Sequence, residues 1–445
     1  MSAGERPSLG RVWILAWPII LSNVTTPLLG MVDTAVVGHL PGPEHIGGVA
    51  IGALVFTSVF WLFSFLRMGT SGFAAQAAGA EDAPEIAAVL GRAILLAAGL
   101  GLILLALQAP IWWAARDLFD ASAAVQTLAG EYFFVRIWCA PATLMNYALL
   151  GWFIGLQHTR VALLIQIWLN GVNIVLDLVF VVGLEMGVPG VAWATLAGEW
   201  SAAVLGLLVA GRMVRRRGAA LNLPRILDIG RLKRFFRANV DIMIRTACLI
   251  FSFAFFTREA AQFGDLALAA NAVLLQMVHM TAYGLDGFAF AAEALVGAAI
   301  GRRSHAALRG AVVASTIWAG IVAVAIALVY LAAGDLIIAL MTDQEAVRAT
   351  AGAYLPWVAL YPVVAIWCFQ LDGVFIGATQ TADMRNAMLA SLAIYMAAAL
   401  TLPAMWGNHG LWAALTVLNL ARGATLAALY PRVERRTAPA VSPGA

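Results

Sequence analysis

Two carboxylates sit inside segments apolar enough to lie in lipid, and each is accompanied by residue types that proton or ion exchange needs. Asp33 lies in NVTTPLLGMVDTAVVG (23–38), six residues after Pro27, and Asp177 lies in LNGVNIVLDLVF (169–180), four residues after Asn173. An acid at the bilayer centre costs about 3 kcal/mol or more unless it has partners or water, so it marks a candidate functional site. Pro27 has no N–H and its ring clashes with the preceding turn, which predicts a hinge just below Asp33. The next acids in apolar surroundings are Glu259, Asp286 and Asp372.

The spans that carry these residues follow from composition. Of 445 residues, 62% are hydrophobic and 11% charged, with a mean hydropathy of +0.88, against roughly 25% charged residues in a soluble domain. This is a polytopic membrane chain, and the net charge of +3 gives no reason to expect a nucleic-acid partner. A hydrocarbon core of about 30 Å needs about 20 apolar residues per helix. Twelve segments qualify, near 12–39, 46–78, 86–115, 126–156, 160–184 and 188–212, then 233–263, 266–300, 305–334, 348–378, 383–405 and 409–431. The N-terminal MSAGERPSLGRVW reads as a short tail before the first span rather than a cleaved signal.

Arginines set the orientation through the positive-inside rule. The most basic stretch, RMVRRRGAALNLPRILDIGRLKRFFR (212–237), carries the sole lysine, Lys233. If it is cytoplasmic, GRRSHAALR, Arg160, Arg385 and RVERR fall on the same side, while HLPGPEH, GLEMGVPG and WGNHG, with no lysine or arginine, fall outside. Both termini are then cytoplasmic. The stretch also divides the chain, and GWFIGLQHTR (151–160) matches GVFIGATQTA (373–382) at five of ten positions, an offset of 222. GVPGVAW (187–193) with GNHGLWA (407–413), and AAQ (74–76) with AAE (291–293), extend the likeness. The expected architecture is an all-α membrane protein with twelve transmembrane helices in two pseudo-symmetric six-helix bundles: a lobe at 1–212, a connector at 213–232, a lobe at 233–432 and a tail at 433–445. Parallel repeats of this kind are a transporter architecture.

With this topology Asp33 lies six residues before His39, Asp177 six before Gly183, and Thr195 about seven residues into the sixth span. At 1.5 Å per residue all three sit roughly 9–10 Å below the outer helix ends, and Asn173 shares the face of Asp177 one turn deeper. Two carboxylates brought together away from water cannot both ionise cheaply and so exchange a proton; the same oxygens suit Na⁺. The competing reading is a set of isolated helix-packing hydrogen bonds.

Glu259 falls near the outer end of the seventh span, where interfacial exposure is expected, whereas Asp286 and Asp372 belong to the inner half as substrate contacts, a second cation site or helix ties. Arg67 and Arg245 are expected to snorkel to the cytoplasmic interface, Arg136 to pair with an acid, and His279 to be a core histidine. Met145, Asn146, Met277 and Met280 are candidates for lining an adaptable cavity. Cys139, Cys248 and Cys368 are isolated and read as inert.

WPIILSN with PLLGMVDTAVVGHL, NIVLDLVFV, GVPGVAWAT, DGVFIGATQTADMRNAM and ALAANAVLLQMVHMTAYGLDGFAFAAEALVG together resemble the multidrug and toxic compound extrusion (MATE) transporters, the last stretch their DinF-like branch. The resemblance implies a V-shaped pair of bundles exporting organic cations and amphipathic xenobiotics in exchange for H⁺ or Na⁺. It maps the family's N-lobe cation site onto Asp33, Asn173, Asp177 and Thr195, a C-lobe site of some branches onto Glu259 and Asp372, and a proline bend onto Pro27. The expectation is an antiporter of a bacterial inner membrane, not an enzyme, with no cofactor beyond the coupling ion, small-molecule and lipid partners, and no obligate protein partner. A lipid-linked precursor flippase is the alternative, against which the scarcity of deep arginines counts.

Overall fold

In lipid every backbone N–H and C=O has to be satisfied within the chain, which leaves the helix as the local solution for each apolar segment. A computed structural model describes residues 7–437 apart from 39, 41, 119 and 120; the side chains of residues 26–29, 34 and 118 are also outside the described set. His39 and the end of the tail therefore lie outside the described residues. Among the described residues twelve helices are long and apolar enough to span: span 1 Leu9–Val37, span 2 Pro43–Gly79, span 3 Ala83–Ala106, span 4 Ala123–Gly155, span 5 Thr159–Gly183, span 6 Gly187–Arg216, span 7 Ile229–Ala261, span 8 Asp265–Gly301, span 9 His305–Met341, span 10 Glu345–Gly377, span 11 Thr381–Trp406 and span 12 Asn408–Glu434. No strand occurs among the described residues.

Three departures from regular helix fall in the first half. Span 2 breaks at Phe63–Ser64, where the Phe63 and Ser64 N–H groups donate three residues back to Phe60 and Trp61. Span 4 is interrupted by a 3₁₀ turn at Ile137–Cys139 before Pro141; the proline has no N–H to continue the α-ladder. Span 5 changes from α to π at Leu178–Gly183, with Leu184 N–H donating to Val179 O at 2.9 Å. The third predicted segment, 86–115, is divided: span 3 ends at Ala106 and a separate helix runs over Gln108–Leu118, because Pro110 cannot donate to the carbonyl four residues back.

The internal repeat extends to the backbone. Left-handed residues recur at the same offset of 222: Gly42 (φ 102°) with Gly264 (90°), Glu81 (54°) with Arg303 (56°), Gln157 (62°) with Thr379 (52°), and Glu185 (53°) with Gly407 (57°). Two of these pairs end helices in the same way, each by a six-residue closure over a left-handed residue: His158 N–H donates to Phe153 O (2.8 Å) and Gln380 N–H to Phe375 O (3.0 Å), and Asp82 N–H donates to Ala77 O (3.1 Å) and Ser304 N–H to Ala299 O (3.0 Å). The next helices in line are capped alike, by Asp82 on Glu85 N–H (3.0 Å) and by Ser304 on Ala307 N–H (3.3 Å).

The matching GxFIG motifs are packing surfaces. A Cβ on Gly151 would lie 2.2 Å from Arg67 O, and one on Gly373 2.2 Å from Ala289 O; Gly155 against Ser71 O and Gly377 against Glu293 O repeat this at 2.4 Å. Span 4 on span 2 and span 10 on span 8 thus use one interface twice. This register pairs Ala74, Ala75 and Gln76 with Val296, Gly297 and Ala298, so the AAQ and AAE likeness is not a structural equivalence.

The chain forms two compact units, one of residues 1–20, 78–81 and 236–445 and the other of residues 21–77 and 82–235. In the first, the start of span 1 is held by Trp13 against Trp318 (4.9 Å), whose indole N–H donates to Leu9 O at 2.9 Å. Its core packs Phe256 edge-on to Trp412 (5.1 Å), and buried Asn271 and Asn408 donate to each other at 2.7 and 3.0 Å. In the second, Arg92 and Arg225 hold Glu85 at 2.8 and 3.1 Å, Arg231 bonds the same carboxylate, and Arg225 also holds Asp82 at 2.6 Å. The basic connector is thereby tied to the start of span 3.

Arg67 and Arg245 do not snorkel: they are 6% and 8% exposed. Span 7 begins at Ile229, which puts Arg245 about 24 Å along it, where its guanidinium meets Asp372; Arg422 bonds the same oxygen at 2.7 Å.

Gly151→Val and Gly373→Val are each expected to cost about 1–3 kcal/mol through overpacking, read as a lowered Tm of the detergent-solubilised protein; an unchanged Tm contradicts the close approach. Arg422→Leu leaves Asp372 half-paired and is expected to cost about 3–5 kcal/mol, whereas Arg432→Leu, at the exposed pair with Asp383, costs at most about 1 kcal/mol. Equal Tm losses would refute the buried pair.

Candidate cation-coupling site

Asp33, Asn173, Asp177 and Thr195 come from spans 1, 5 and 6, and the structure brings all four together. The Asp33 and Asp177 carboxyls lie near enough to act directly on each other. Asn173 donates its amide nitrogen to Asp177 Oδ2 at 2.9 Å and accepts from Thr195 N–H at 3.1 Å; the opposite amide orientation would set its oxygen against the carboxylate. Thr195 Oγ1 lies 3.2 Å from the same amide and donates to Val191 O at 3.1 Å. Asp177 is 0% exposed, and its Oδ1 finds no hydrogen-bond partner among the described residues. That oxygen, the facing Asp33 carboxyl and the Asn173 and Thr195 oxygens form a donor set suited to a proton or a small hard cation.

Local structure makes this meeting possible. Gly198 lets span 6 approach span 5, since a Cβ there would lie 3.3 Å from Leu169 O and 3.4 Å from Asn173 Cβ. Asp177 ends the α-helical part of span 5, at the junction with the π segment, a distortion frequently found at functional sites. Span 5 also carries Gln166 and Asn170 on the same stripe, with Gln166 donating to Asn170 at 3.1 Å and Asn170 to Thr25 O of span 1 at 3.4 Å. The 4-3-4 spacing of Gln166, Asn170, Asn173 and Asp177 was available in the sequence as a helical polar face. Span 1 is helical through position 27, two residues beyond that contact, and the Pro27 side chain is outside the described set.

Arg136 stands at the 3₁₀ break of span 4, bonded to the Tyr132 hydroxyl and lying over the Phe56 ring at 5.1 Å. Two acids act on it electrostatically, Asp33 and Glu199. Sequence reasoning missed Glu199, although it is the one acid of span 6 and lies four residues, one turn, beyond Thr195. Its Oε2 accepts from Asn146 Nδ2 at 2.7 Å.

The other candidates do not join the cluster. Met145 and Met277 are buried, Met277 in the hydrophobic core of its unit, while Met280 is 47% exposed. His279 lies against Phe253 at 5.7 Å. Glu259 accepts from Gln262 at 3.0 Å; it lies 14 residues, about 21 Å, along span 7 from the arginine that holds Asp372, so Glu259 and Asp372 do not meet. Asp286 is half-buried and acts, with Arg422, on Tyr361.

The repeat explains why the second half has no copy of the cluster. At the 222 offset, Asp33, Asn173 and Asp177 correspond to Phe255, Tyr395 and Ala399, and at the offset of 220 that aligns GVPGVAW with GNHGLWA, Thr195 corresponds to Leu415. Phe255 and Tyr395 pack edge to face at 6.4 Å within the hydrophobic core, with Ala399 beside them in the same cluster. One scaffold position holds an acid pair in one half and aromatic packing in the other.

Comparison with known proteins agrees with this architecture. The MatE family model matches residues 18–179 and 242–401. DNA damage-inducible protein F of Escherichia coli (strain K12) is 42% identical over 421 residues, 95% of this chain and 92% of that protein. A probable multidrug resistance protein NorM of Xylella fastidiosa is 25% identical over 445 residues, covering 95% of this chain and 90% of that one. Among solved structures, a MATE protein in the bent conformation superposes with a TM-score of 0.86 at 21% identity, covering 96% and 95% of the two chains. With two repeated six-helix halves, and with both stretches of the family model in place along it, the chain belongs to the MatE family of multidrug and toxic compound extrusion transporters.

Proposed function

We propose that the chain is a proton-coupled antiporter that exports organic cations or amphipathic compounds across a bacterial cytoplasmic membrane with both termini inside. The single observation that carries this reading is the juxtaposition of the Asp33 and Asp177 carboxyls. Two carboxyl groups facing each other away from water share a proton, since ionising both sets like charges against each other in a low dielectric. The pair therefore holds one proton and exchanges a second, with the open Asp177 Oδ1 as its acceptor.

Protonation has a mechanical outlet in the elements that carry the acids. Pro27 lacks the N–H that would tie span 1 one turn back, and the π segment after Asp177 closes its hydrogen bonds one residue wider than an α-helix. Gain of a proton removes the charge that holds the Asn173 amide in place, so spans 1 and 5 repack around a neutral pair. Each proton entering down 100 mV supplies about 2.3 kcal/mol, and each pH unit about 1.4 kcal/mol. NorM of Xylella fastidiosa is named a probable multidrug resistance protein, which supports drug efflux over the flippase alternative.

The test is efflux from proteoliposomes with pH and Na⁺ gradients imposed separately. Wild type is expected to respond to the pH gradient, and Asp33→Asn and Asp177→Asn each to lose at least tenfold in gradient-driven rate, about 1.4 kcal/mol or more. Export by Asp33→Asn at the wild-type rate and gradient dependence would overturn the mechanism, and efflux driven by Na⁺ alone would replace the coupling ion.

A further inference from the structure

Glu199 has no role in the proton pair, yet it is the acid most deeply placed in span 6. It lies 12 residues from Gly187 in a helix of 30 residues, about 18 Å in, one turn below Thr195. An ionised carboxylate there requires a counter-charge. The donor present is Asn146 Nδ2, at 2.7 Å from Oε2, while the neighbouring Thr143 hydroxyl donates to Cys139 Sγ. The amide bonds the carboxylate without neutralising it.

Arg136 faces Glu199 but does not close on it. Among the described residues the two form no ion pair within 4.0 Å, because the guanidinium is committed to the Tyr132 hydroxyl and the Phe56 ring and is shared with Asp33. The other ionisable groups acting on or from Glu199 are Cys139 and Tyr147, both on span 4 and both ordinarily neutral. Two buried polar atoms of its neighbours, Asn146 Oδ1 and Arg136 Nε, have no hydrogen-bond partner among the described residues. Arg136, Asn146, Tyr147 and Glu199 all keep part of their surface accessible while Cys139, Thr143, Met145 and Thr195 around them are buried.

A half-buried acid held by an amide donor, with no closed counter-ion and next to an aromatic residue, is the chemistry that recognises a lipophilic organic cation. We propose that Glu199, positioned by Asn146, is the counter-charge for the cationic group of a substrate, a quaternary ammonium or phosphonium ion, and that Arg136 competes with that cation for it. The inference deepens the antiporter reading and rests on it for the class of substrate. It assigns opposite signs to the two charged residues. Loss of Glu199 weakens cation binding, whereas loss of Arg136 frees the carboxylate and strengthens it.

The experiment is tetraphenylphosphonium binding to the purified full-length protein at pH 8, by isothermal titration. Wild type is expected to bind; Glu199→Gln to bind at least tenfold more weakly; Glu199→Asp to stay within a few-fold of wild type; and Arg136→Gln to bind several-fold more tightly. Thermal unfolding of each variant verifies that it is folded, and the aspartate variant keeps the charge if the glutamine variant is unstable. Wild-type affinity in Glu199→Gln, or weakening in Arg136→Gln equal to that in Glu199→Gln, would overturn the proposal, the second result marking the two as a structural pair. Absence of tetraphenylphosphonium binding to wild type would overturn it as well. The antiporter reading would then stand or fall separately on pH-driven efflux.

Discussion

A carboxylate inside a hydrocarbon slab must find a proton, a cation or a set of donors, and the polar interior of this protein is arranged by that requirement. Three solutions occur. Asp372 is neutralised outright by Arg245 and Arg422. Asp33 and Asp177 face each other with one Asp177 oxygen left without a partner among the described residues, the arrangement proposed above to hold a shared proton. Glu199 has an amide donor but no closed counter-ion. Only the second and third leave chemistry to be done, and both lie in the unit of residues 21–77 and 82–235.

Duplication supplies the frame on which this difference is displayed. Both halves keep the same glycine contacts, the same left-handed helix ends and the same caps at one offset, because these features fix how helices approach and where they stop. What differs is the filling. Phe255 and Tyr395 occupy the places of Asp33 and Asn173, and the helix irregularities beside the acids of the first half, the 3₁₀ turn and the π segment, interrupt spans whose partners in the second half run as unbroken α-helix from Glu345 to Gly377 and from Thr381 to Trp406. Irregular backbone is costly in a membrane unless its polar groups are re-satisfied nearby. Its confinement to one half marks where the chain gives up regularity for function.

The sequence by itself determined the twelve spans, the repeat and the cluster of Asp33, Asn173, Asp177 and Thr195. These rest on one-dimensional quantities: apolar length against bilayer thickness, arginine placement, and depth at a fixed rise per residue. Depth locates a residue along a helix and leaves open which way it faces. Contacts therefore had to come from the tertiary structure. It separated Glu259 from Asp372, turned Arg245 from an interface anchor into the partner of a buried acid, and placed Arg136 between Asp33 and Glu199. Glu199 was within reach of the sequence, one turn from Thr195 on the same helix, but its meaning depended on Asn146 and Arg136 from another span. The α-to-π change at Asp177 was likewise decided by packing, since no local propensity in apolar helices of this kind singles out where a hydrogen-bond ladder will slip, whereas the break before Pro141 has its local cause in the proline.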